Sequence, residues 1–417
     1  MSDPVIPAPA LRAAPGAVPA RRRGRHLPAV CAAALVVGVA GVAPAAADAQ
    51  DSRSSRAAGT TFVGCGPTRS QDLINAVTAA NVNPSGGSIV LASRCTYTFA
   101  GPGFAGNALP VINKPITING RSATLTQTDA LRFFEVSSTG KLFLNTLDLK
   151  RGKPSGDGGA ILVDSGGAQL YLKCVNATDN IATGIGGALS VQSGSTATVT
   201  SSTLSKNTAG VLGGAIDNHG ALTLTASRLS HNHADLAGGG LDQDEGSSRI
   251  TTTTIDHNST KFGGGIDHDG GPMTIDSSVI TDNSATAAAT DPPDPGGGGI
   301  WNFAVPLTIK ATTIARNRTT EAVGNGAGIL NRGGNVTVET SSVSSNTAKG
   351  TAGGIYNLAG GTIALKASRI TGNSAGTKPG GVFNDVGSNV SNSFSVISLN
   401  HPTNCDGSPA PVPGCFG

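Results

Sequence analysis

The chain has few aromatic residues and few charges. Of its 417 residues, 4% are Phe, Trp or Tyr and 13% are charged, whereas glycine alone contributes 59 residues. Abundant Gly, Ser, Thr and Asn fit many tight turns between short strands, and the periodic apolar positions argue against disorder. The composition therefore predicts a folded chain of short strands and turns.

An excess of charge of either sign is also missing. The formal net charge is +3, but residues 1–49 contain five Arg and two Asp, which leaves 24 basic and 24 acidic residues in the remainder. A near-neutral body argues against nucleic acid as the partner.

Long apolar runs are absent except near the N-terminus. Residues 1–49 have the features of a secretory signal, with a cluster of Arg at 21–25, an apolar stretch at 27–42 and small residues for cleavage. The apolar stretch is shorter than the ~20 residues that a membrane span needs. We therefore expect a secreted or cell-surface protein with no membrane span after signal removal, and a polar linker at 50–60.

Cysteines are few, and one of the six, Cys31, lies in the predicted signal. Export makes disulfides possible. Cys174 takes a repeat position that other copies fill with Ala or Ser, so we expect a small buried residue there, and the cysteine spacing indicates no metal site. The expected pairs are Cys65 with Cys95 at the N-terminal cap and Cys405 with Cys415 in the 401–417 tail.

One repeat fills residues 158–400. Each copy has a glycine pair, an inward aliphatic, an Asn-like position, a short β pattern and a second Asn, as in residues 213–232. The copies follow one another at 25 to 34 residues, and the aliphatic stands 16 to 19 residues before the second Asn. The nine aliphatics are Ile161, Leu189, Ile216, Leu241, Ile266, Ile300, Ile329, Ile355 and Val382.

The repeat length predicts the architecture. A unit of this size cannot bury its own apolar face, so it must stack on its neighbours, and the Gly-, Thr- and Ser-rich coils disfavour an α-helical solenoid. We predict a single all-β parallel β-helix, with the second Asn of each coil forming a ladder of side-chain amides. Residues 61–157 should form an N-terminal cap and irregular first coils. An α-helix at 71–81, opened by a capping box at Thr68 and Gln71, should cover the first coil.

The Gly-Gly-Ala-Ile and Gly-Gly-Gly-Ile copies with their trailing Asn resemble repeats of secreted bacterial right-handed parallel β-helix proteins, including those of chlamydial polymorphic outer-membrane proteins. Residues 73–98 and 404–415 resemble the two ends of such proteins. The resemblance covers roughly residues 60–417 and implies a right-handed, pectin-lyase-like β-helix. It implies little about activity, because such proteins include adhesins and distant relatives of pectin-cleaving enzymes.

The residue after each inward aliphatic should point outward and stack into a column. The middle of this column is acidic, with Asp217, Asp242 and Asp267, and a parallel column two residues on adds Asp244 and Asp269. Stacked carboxylates repel one another, which raises pKa values or recruits a cation, and oxygen ligands suit calcium. The alternative is a solvated acidic strip that keeps the surface soluble.

An acid–base site for a sugar polymer is a second interpretation of the same residues. Asp256–His257 and Asp267–His268 both resemble an Asp–His pair of pectate lyases, although the repeat already explains the preceding aliphatics and no Lys or Arg can be assigned as base. The candidate catalytic residues are Asp217, Asp242, Asp267 and His268.

The second half of the column is aromatic. Trp301, Tyr356 and Phe383 fall in it and Phe303 lies beside it, while two insertions, at 284–296 and 318–325, enter at one turn of adjacent coils. Flat rings on a rigid sheet suit sugar rings or a protein partner, unless the two insertions fold over and bury them.

Three function classes follow from these columns. The first is a glycan- or surface-binding, adhesin-like module that uses the aromatic column. The second is a polysaccharide lyase or glycoside hydrolase, and the third is a non-catalytic spacer. We expect a polysaccharide or another cell-surface component as partner, a monomeric state, and calcium as the sole candidate cofactor.

Overall fold

A computed structural model describes residues 59–101, 103–287 and 295–417. The predicted signal and nearly all of the predicted linker lie outside the described residues. The described chain winds into a right-handed parallel β-solenoid of about 12 turns with one short helix. No helix in these segments is long and apolar enough to cross a membrane.

Three parallel sheets run along the solenoid, and successive coils pair in register. The largest sheet has 22 described strands: Thr60–Val63, Gly87–Leu91, Thr96–Phe99, Pro115–Gln127, Lys141–Lys150, Gln169–Thr178, Thr196–Thr200, Thr203–Ser205, Ala221–Thr225, Arg228–Ser230, Ser247–Thr251, Thr254–Asp256, Met273–Asp276, Val279–Thr281, Pro306–Lys310, Thr313–Ala315, Asn335–Glu339, Ser342–Ser344, Thr362–Lys366, Arg369–Thr371, Asn389–Ser393 and Val396–Ser398.

The other two sheets are narrower. We call the second one the site sheet, and its ten described strands are Phe134–Val136, Ile161–Val163, Leu189–Val191, Ile216–Asn218, Leu241–Gln243, Ile266–His268, Ile300–Phe303, Ile329–Arg332, Ile355–Leu358 and Val382–Asn384. The third sheet has eight described strands: Ile181–Ala182, Thr208–Ala209, His233–Ala234, Ser259–Thr260, Ser284–Ala285, Arg318–Thr319, Thr347–Thr351 and Ser374–Thr377.

The helix spans Arg69–Val82 and packs on the first strands through a buried apolar face that includes Leu73 and Val77. The predicted capping box is wrong. The side chain of Thr68 makes no capping bond to the helix backbone and instead donates to Asp72 at 2.8 Å, while Gln71 donates to Asn75 at 3.0 Å. The predicted capping bonds and the observed side-chain bonds both join residues about one helical turn apart, so the sequence pattern alone does not distinguish them.

The second Asn of each repeat forms the predicted ladder. From Asn180 to Asn373, the backbone N–H and the side-chain Nδ2 of each Asn donate to Oδ1 of the Asn one coil later, at 2.9 to 3.0 Å. Nδ2 also donates to a carbonyl of the preceding coil, as Asn258 does to Leu229. The amides thus satisfy buried turns that no water reaches.

A second ladder of hydroxyl groups was not predicted. At one corner, a backbone N–H donates to the Ser or Thr hydroxyl of the next coil at 2.9 to 3.3 Å. The recurrence of Ser or Thr at coil spacing was visible in the sequence, but it was hidden among many other hydroxyl residues. The hydroxyls are those of Ser202, Ser227, Thr253, Ser278, Thr312, Ser341, Ser368 and Ser395.

Both expected disulfides are present, joining Cys65 to Cys95 and Cys405 to Cys415. The expectation for Cys174 was wrong in one respect: the residue is half-buried at a corner with left-handed backbone (φ 55°), rather than in the core. Its thiol is not free. Other coils place small residues at this corner because left-handed backbone disfavours bulky side chains.

Candidate functional site

The outward column of the site sheet has the register that the repeat predicts. Each member pairs with the next one along the axis, at the ~4.8 Å spacing of adjacent strands. The column runs Leu162, Ser190, Asp217, Asp242, Asp267, Trp301, Leu330, Tyr356, Phe383.

The acidic part of the column is buried rather than solvated. Asp217, Asp242 and Asp267 are 0%, 2% and 5% exposed. One oxygen of each, Oδ1, has no hydrogen-bond partner among the described residues. The interpretation as a solvated strip is therefore wrong, and a polymer at the surface does not reach these carboxyl groups.

Glycines with left-handed backbone close this part of the column. Gly213, Gly238 and Gly263 have φ values of 64°, 63° and 61°. A Cβ at Gly238 would lie 2.6 Å from Cβ of Asp242, so the turn passes directly over the carboxylate-bearing strand. A residue with a side chain fits neither this backbone nor this space.

Burial and mutual repulsion shift the acid–base properties of the three carboxyl groups. Burial raises the pKa of Asp242 well above its ordinary value, and the charges of Asp267 and Asp217 raise it further. Burial likewise raises the pKa of Asp267, which accepts a hydrogen bond from Asp242. The two neighbouring carboxyl groups therefore hold their protons more tightly than free carboxyl groups do.

The acidic column connects to the surface through His219. Its Nε2 lies 3.4 Å from Oδ2 of Asp217 and its Nδ1 lies 3.8 Å from Oδ2 of Asp244. The hydrogen bond to Asp217 raises the pKa of His219 to about 9. Desolvation among these neighbours and the charge of Asp244 raise the pKa of Asp269 to about 6, although Asp269 still reaches solvent.

The five aspartates are near one another but do not form a finished metal cage. Among the described residues, no group of three or more His, Cys, Asp or Glu side chains is arranged to hold a metal ion. Calcium at this column stays a prediction of the sequence.

His268 lies apart from the carboxyl group of its neighbour Asp267. Successive side chains of a strand point to opposite faces, so Asp267 joins the outer column and His268 points inward. The imidazole is buried, with Nδ1 2.6 Å from Oδ1 of Asn302 and Nε2 2.9 Å from the Gly271 carbonyl oxygen. Burial lowers its pKa. His268 belongs to an inner ladder of side-chain hydrogen bonds, in which Asn302 Nδ2 donates in turn to Oδ1 of Asn331 at 2.9 Å. The structure therefore does not bring Asp267 and His268 together as a pair.

Trp301 begins the aromatic part of the column and is half-buried. Its ring centre lies 5.6 Å from that of Phe303 in a stacked arrangement and 6.2 Å from that of Phe262. The guanidinium of Arg332 stands 5.3 Å from the centre of the Phe303 ring. The Nε1 of Trp301 is buried and has no hydrogen-bond partner among the described residues.

Tyr356 and Phe383 form the far end of the aromatic column. Their ring centres are 4.6 Å apart with an 8° angle between planes, and both rings are half-buried. Because the rings stack along the axis, each turns its face to the other and its edge outward. Leu330, between Trp301 and Tyr356, is fully buried. At this end of the column the stacked pair therefore offers a ligand less ring face than the sequence predicts.

The two insertions meet beside Trp301. Gly296, at the end of the first insertion, pairs with Asn325, at the end of the second. Gly297 lies against Trp301, since a Cβ there would stand 2.7 Å from the tryptophan Cβ. Residues 288–294 of the first insertion lie outside the described residues.

An outer groove that was not predicted from the sequence lies on the largest sheet. It has a volume of about 470 Å³ and combines threonine and serine hydroxyls with Lys150, Arg151 and Lys206, against the single carboxylate of Asp179. Its residues come from four successive coils, and no single motif marks them.

The fold defines the class of the protein as a parallel β-helix. No protein-family model and no curated protein sequence matches the chain. Among solved structures, it is similar to the A-module of the mannuronan C-5 epimerase AlgE6 of Azotobacter vinelandii, with 12% sequence identity and a TM-score of 0.43 over 81% of this chain and 100% of that one. This likeness is too distant to carry a functional argument. The finer resemblance to chlamydial and pectin-lyase-like repeats stays a prediction from the motif.

Proposed function

We propose that the protein is a non-catalytic binding module of the cell exterior that recognises a polysaccharide with its aromatic column. The observation that carries this proposal is a contrast within one row of strands. The aromatic side chains are half-exposed, whereas the carboxyl groups that could act as acid and base are buried. A polymer at this surface can touch the first set and not the second. The aromatic residues are Trp301, Phe303, Tyr356 and Phe383.

The chemistry of the surface suits a sugar chain. Ring edges and the aliphatic stem of Arg332 offer apolar contact to the C–H groups of a sugar, and its guanidinium can donate to sugar oxygens. Adjacent parallel coils place Tyr356 and Phe383 one step of ~4.8 Å apart along the axis. A linear polysaccharide also repeats its contact groups, so it can meet successive coils with successive sugars. The strands hold the rings in place before binding, which limits the ordering cost.

A lyase or hydrolase is the second class that the sequence predicts. Its candidate acids, Asp217, Asp242 and Asp267, are covered by the glycine turns, and Asp267 and His268 point to opposite faces. These contacts give the catalytic interpretation no support. A passive spacer differs from the proposed module in one measurable way, because it binds no glycan.

The proposal is tested by binding of the full chain to a panel of neutral and acidic linear polysaccharides, followed by calorimetry with the polymer that binds. The test variant is Tyr356→Leu with Phe383→Leu. We expect its affinity to fall by about 1–3 kcal/mol, or roughly 5- to 150-fold, because both rings lose their contact area.

The chain contains a matched control. Phe143 and Tyr171 are also half-buried and stacked, with ring centres 4.5 Å apart at 6°, but they lie on the largest sheet. The variant Phe143→Leu with Tyr171→Leu should fold as the test variant does and keep full affinity. Equal loss in both double variants, or no binding by the wild type to any polymer, contradicts the proposal.

A further inference from the structure

Three large apolar side chains stand in solvent on the last coil. Phe394, Val396 and Leu399 are 97%, 54% and 83% exposed. They flank or belong to the strand Val396–Ser398, and we call them the terminal apolar patch.

The two preceding coils do not use such residues at these positions. Arg369 is the register partner of Val396, and Ser342 is the partner of Arg369. Phe394 and Leu399 occupy the left-handed corners of the coil, with φ values of 63° and 57°. Bulky side chains are disfavoured there, so local folding does not select them. The equivalent residues one coil earlier are Ala367, Arg369 and Gly372, and two coils earlier they are Thr340, Ser342 and Ser345.

The patch borders a free strand edge. The strands Asn389–Ser393 and Val396–Ser398 each pair with the preceding coil only, and within the described residues no strand covers their other side. The C-terminal tail reaches the first of these strands, where Asn392 donates to the Pro413 carbonyl oxygen at 3.0 Å, so the open edge is that of Val396–Ser398. Val412 packs on the core and the N–H of Ala410 donates to Asn384 of the site sheet. An open edge with unpaired N–H and C=O groups can accept another strand.

The sequence around the edge carries no charge. From Val386 to Asn400 there is no Lys, Arg, Asp or Glu. A charged partner would find no opposite charge here, whereas two copies of this edge can meet without electrostatic repulsion.

We infer that the terminal apolar patch and the free edge of Val396–Ser398 bind the same surface of a second copy of this chain. A two-fold axis brings identical patches together and sets the two edge strands antiparallel. Phe394 alone offers about 150–250 Å², a substantial part of the roughly 800 Å² per partner in a standard interface, and the remainder of the last coil adds to it. The inferred state is thus a dimer joined end to end, and not the monomer expected from the sequence.

The experiment measures the mass of the full chain by sedimentation velocity and light scattering from about 1 to 100 µM, since association depends on concentration. We expect a dimer that dissociates on dilution. The test variant is Phe394→Ala with Val396→Arg and Leu399→Gly, which gives the last coil the residues of the coil before it. That coil forms the same backbone with these residues, so the variant should fold and melt as the wild type does.

The triple variant should raise the dissociation constant of the dimer more than about tenfold. The control is Leu236→Arg, at a 41% exposed apolar residue on another coil, and it should leave the dimer unchanged. A wild type that is monomeric throughout overturns the inference. So does a dimer that survives the triple variant, or a series of larger assemblies, which a closed two-fold contact does not allow.

Discussion

Asp267 and Trp301 are register partners on adjacent coils, and each has a buried polar atom without a hydrogen-bond partner among the described residues. The atoms are Oδ1 of the aspartate and Nε1 of the tryptophan. At this point the acidic and aromatic halves of the column meet. An unsatisfied buried acceptor and an unsatisfied buried donor both reduce stability, so no hydrogen bond joins the acidic and aromatic halves through these two atoms.

The acidic column should lower the stability of the folded chain as pH rises. The pKa values of Asp242 and Asp267 are raised in the folded state, so the folded chain holds protons that the unfolded chain has lost above about pH 4. Stability from these groups is greatest below that pH and is lost as pH rises through the folded pKa values. His219 adds to the trend, because stability from its pKa of about 9 is lost as pH rises through that value. Thermal melting should show midpoints that fall from about pH 4 to about pH 9.

Asp242→Asn should stabilise the protein at neutral and higher pH. The amide keeps the shape and can donate to Asp267, but it cannot ionise, so burial no longer opposes a charge. We expect a gain of about 1 kcal/mol or more, the value of one pKa unit, and a flatter dependence on pH. The control Glu321→Gln changes an exposed carboxylate and should leave the melting profile as it is. A less stable Asp242→Asn protein would contradict this account.

Calcium at the acidic column is tested separately by melting with calcium and with a chelator. Calcium bound to the folded state by Asp217, Asp242, Asp267, Asp244 and Asp269 would raise the midpoint through mass action. Asp242→Asn would then remove that rise. If calcium leaves the wild-type midpoint unchanged, protonation and not a bound cation neutralises the buried carboxyl groups.

The amide ladder should be intolerant of a break in its middle. Asn258→Ala removes the Oδ1 that accepts from both the backbone and the side chain of Asn232, and leaves two buried donors unpaired. We expect a loss of about 2–4 kcal/mol in denaturant unfolding, since each unsatisfied group costs about 1–3 kcal/mol. Asn335→Ala, at an exposed asparagine, should change stability by less than about 0.5 kcal/mol. Comparable effects at both sites would contradict a structural role for the ladder.

Gly238→Ala should destabilise the turn that closes the acidic column. Its left-handed backbone resists a Cβ, and that Cβ would lie 2.6 Å from Cβ of Asp242. We expect a loss above about 1 kcal/mol, from backbone strain together with overpacking. Gly360→Ala is the matched control, because its φ of 79° is also left-handed but nothing lies within 4 Å of the added atom. Chemical denaturation of both variants separates backbone strain from overpacking. Equal losses of unfolding free energy in the two variants would show that the close approach to Asp242 contributes nothing.

The repeat by itself determined the parallel coils, the Asn ladder and the membership of the outward column. Stacking makes residues at one repeat position neighbours along the axis, so spacing in sequence becomes register in space. For the same reason the sequence predicted that Asp217, Asp242 and Asp267 would form a column continuing into Trp301.

Only the tertiary structure decided what that column became. The glycine pairs bring the turn back over Asp242, so an outward carboxyl group is buried, and no periodicity of side chains reports how far a turn folds back. Ring orientation is likewise set by packing between coils: Tyr356 and Phe383 turn their faces to each other, and their edges remain for a ligand. Phe394 and Leu399 are exposed because they lie at corners of the coil that face solvent, as Ala367 and Gly372 do one coil earlier. Repeat position determines which residues stack, and the surrounding turns and chain ends determine which of them meet solvent.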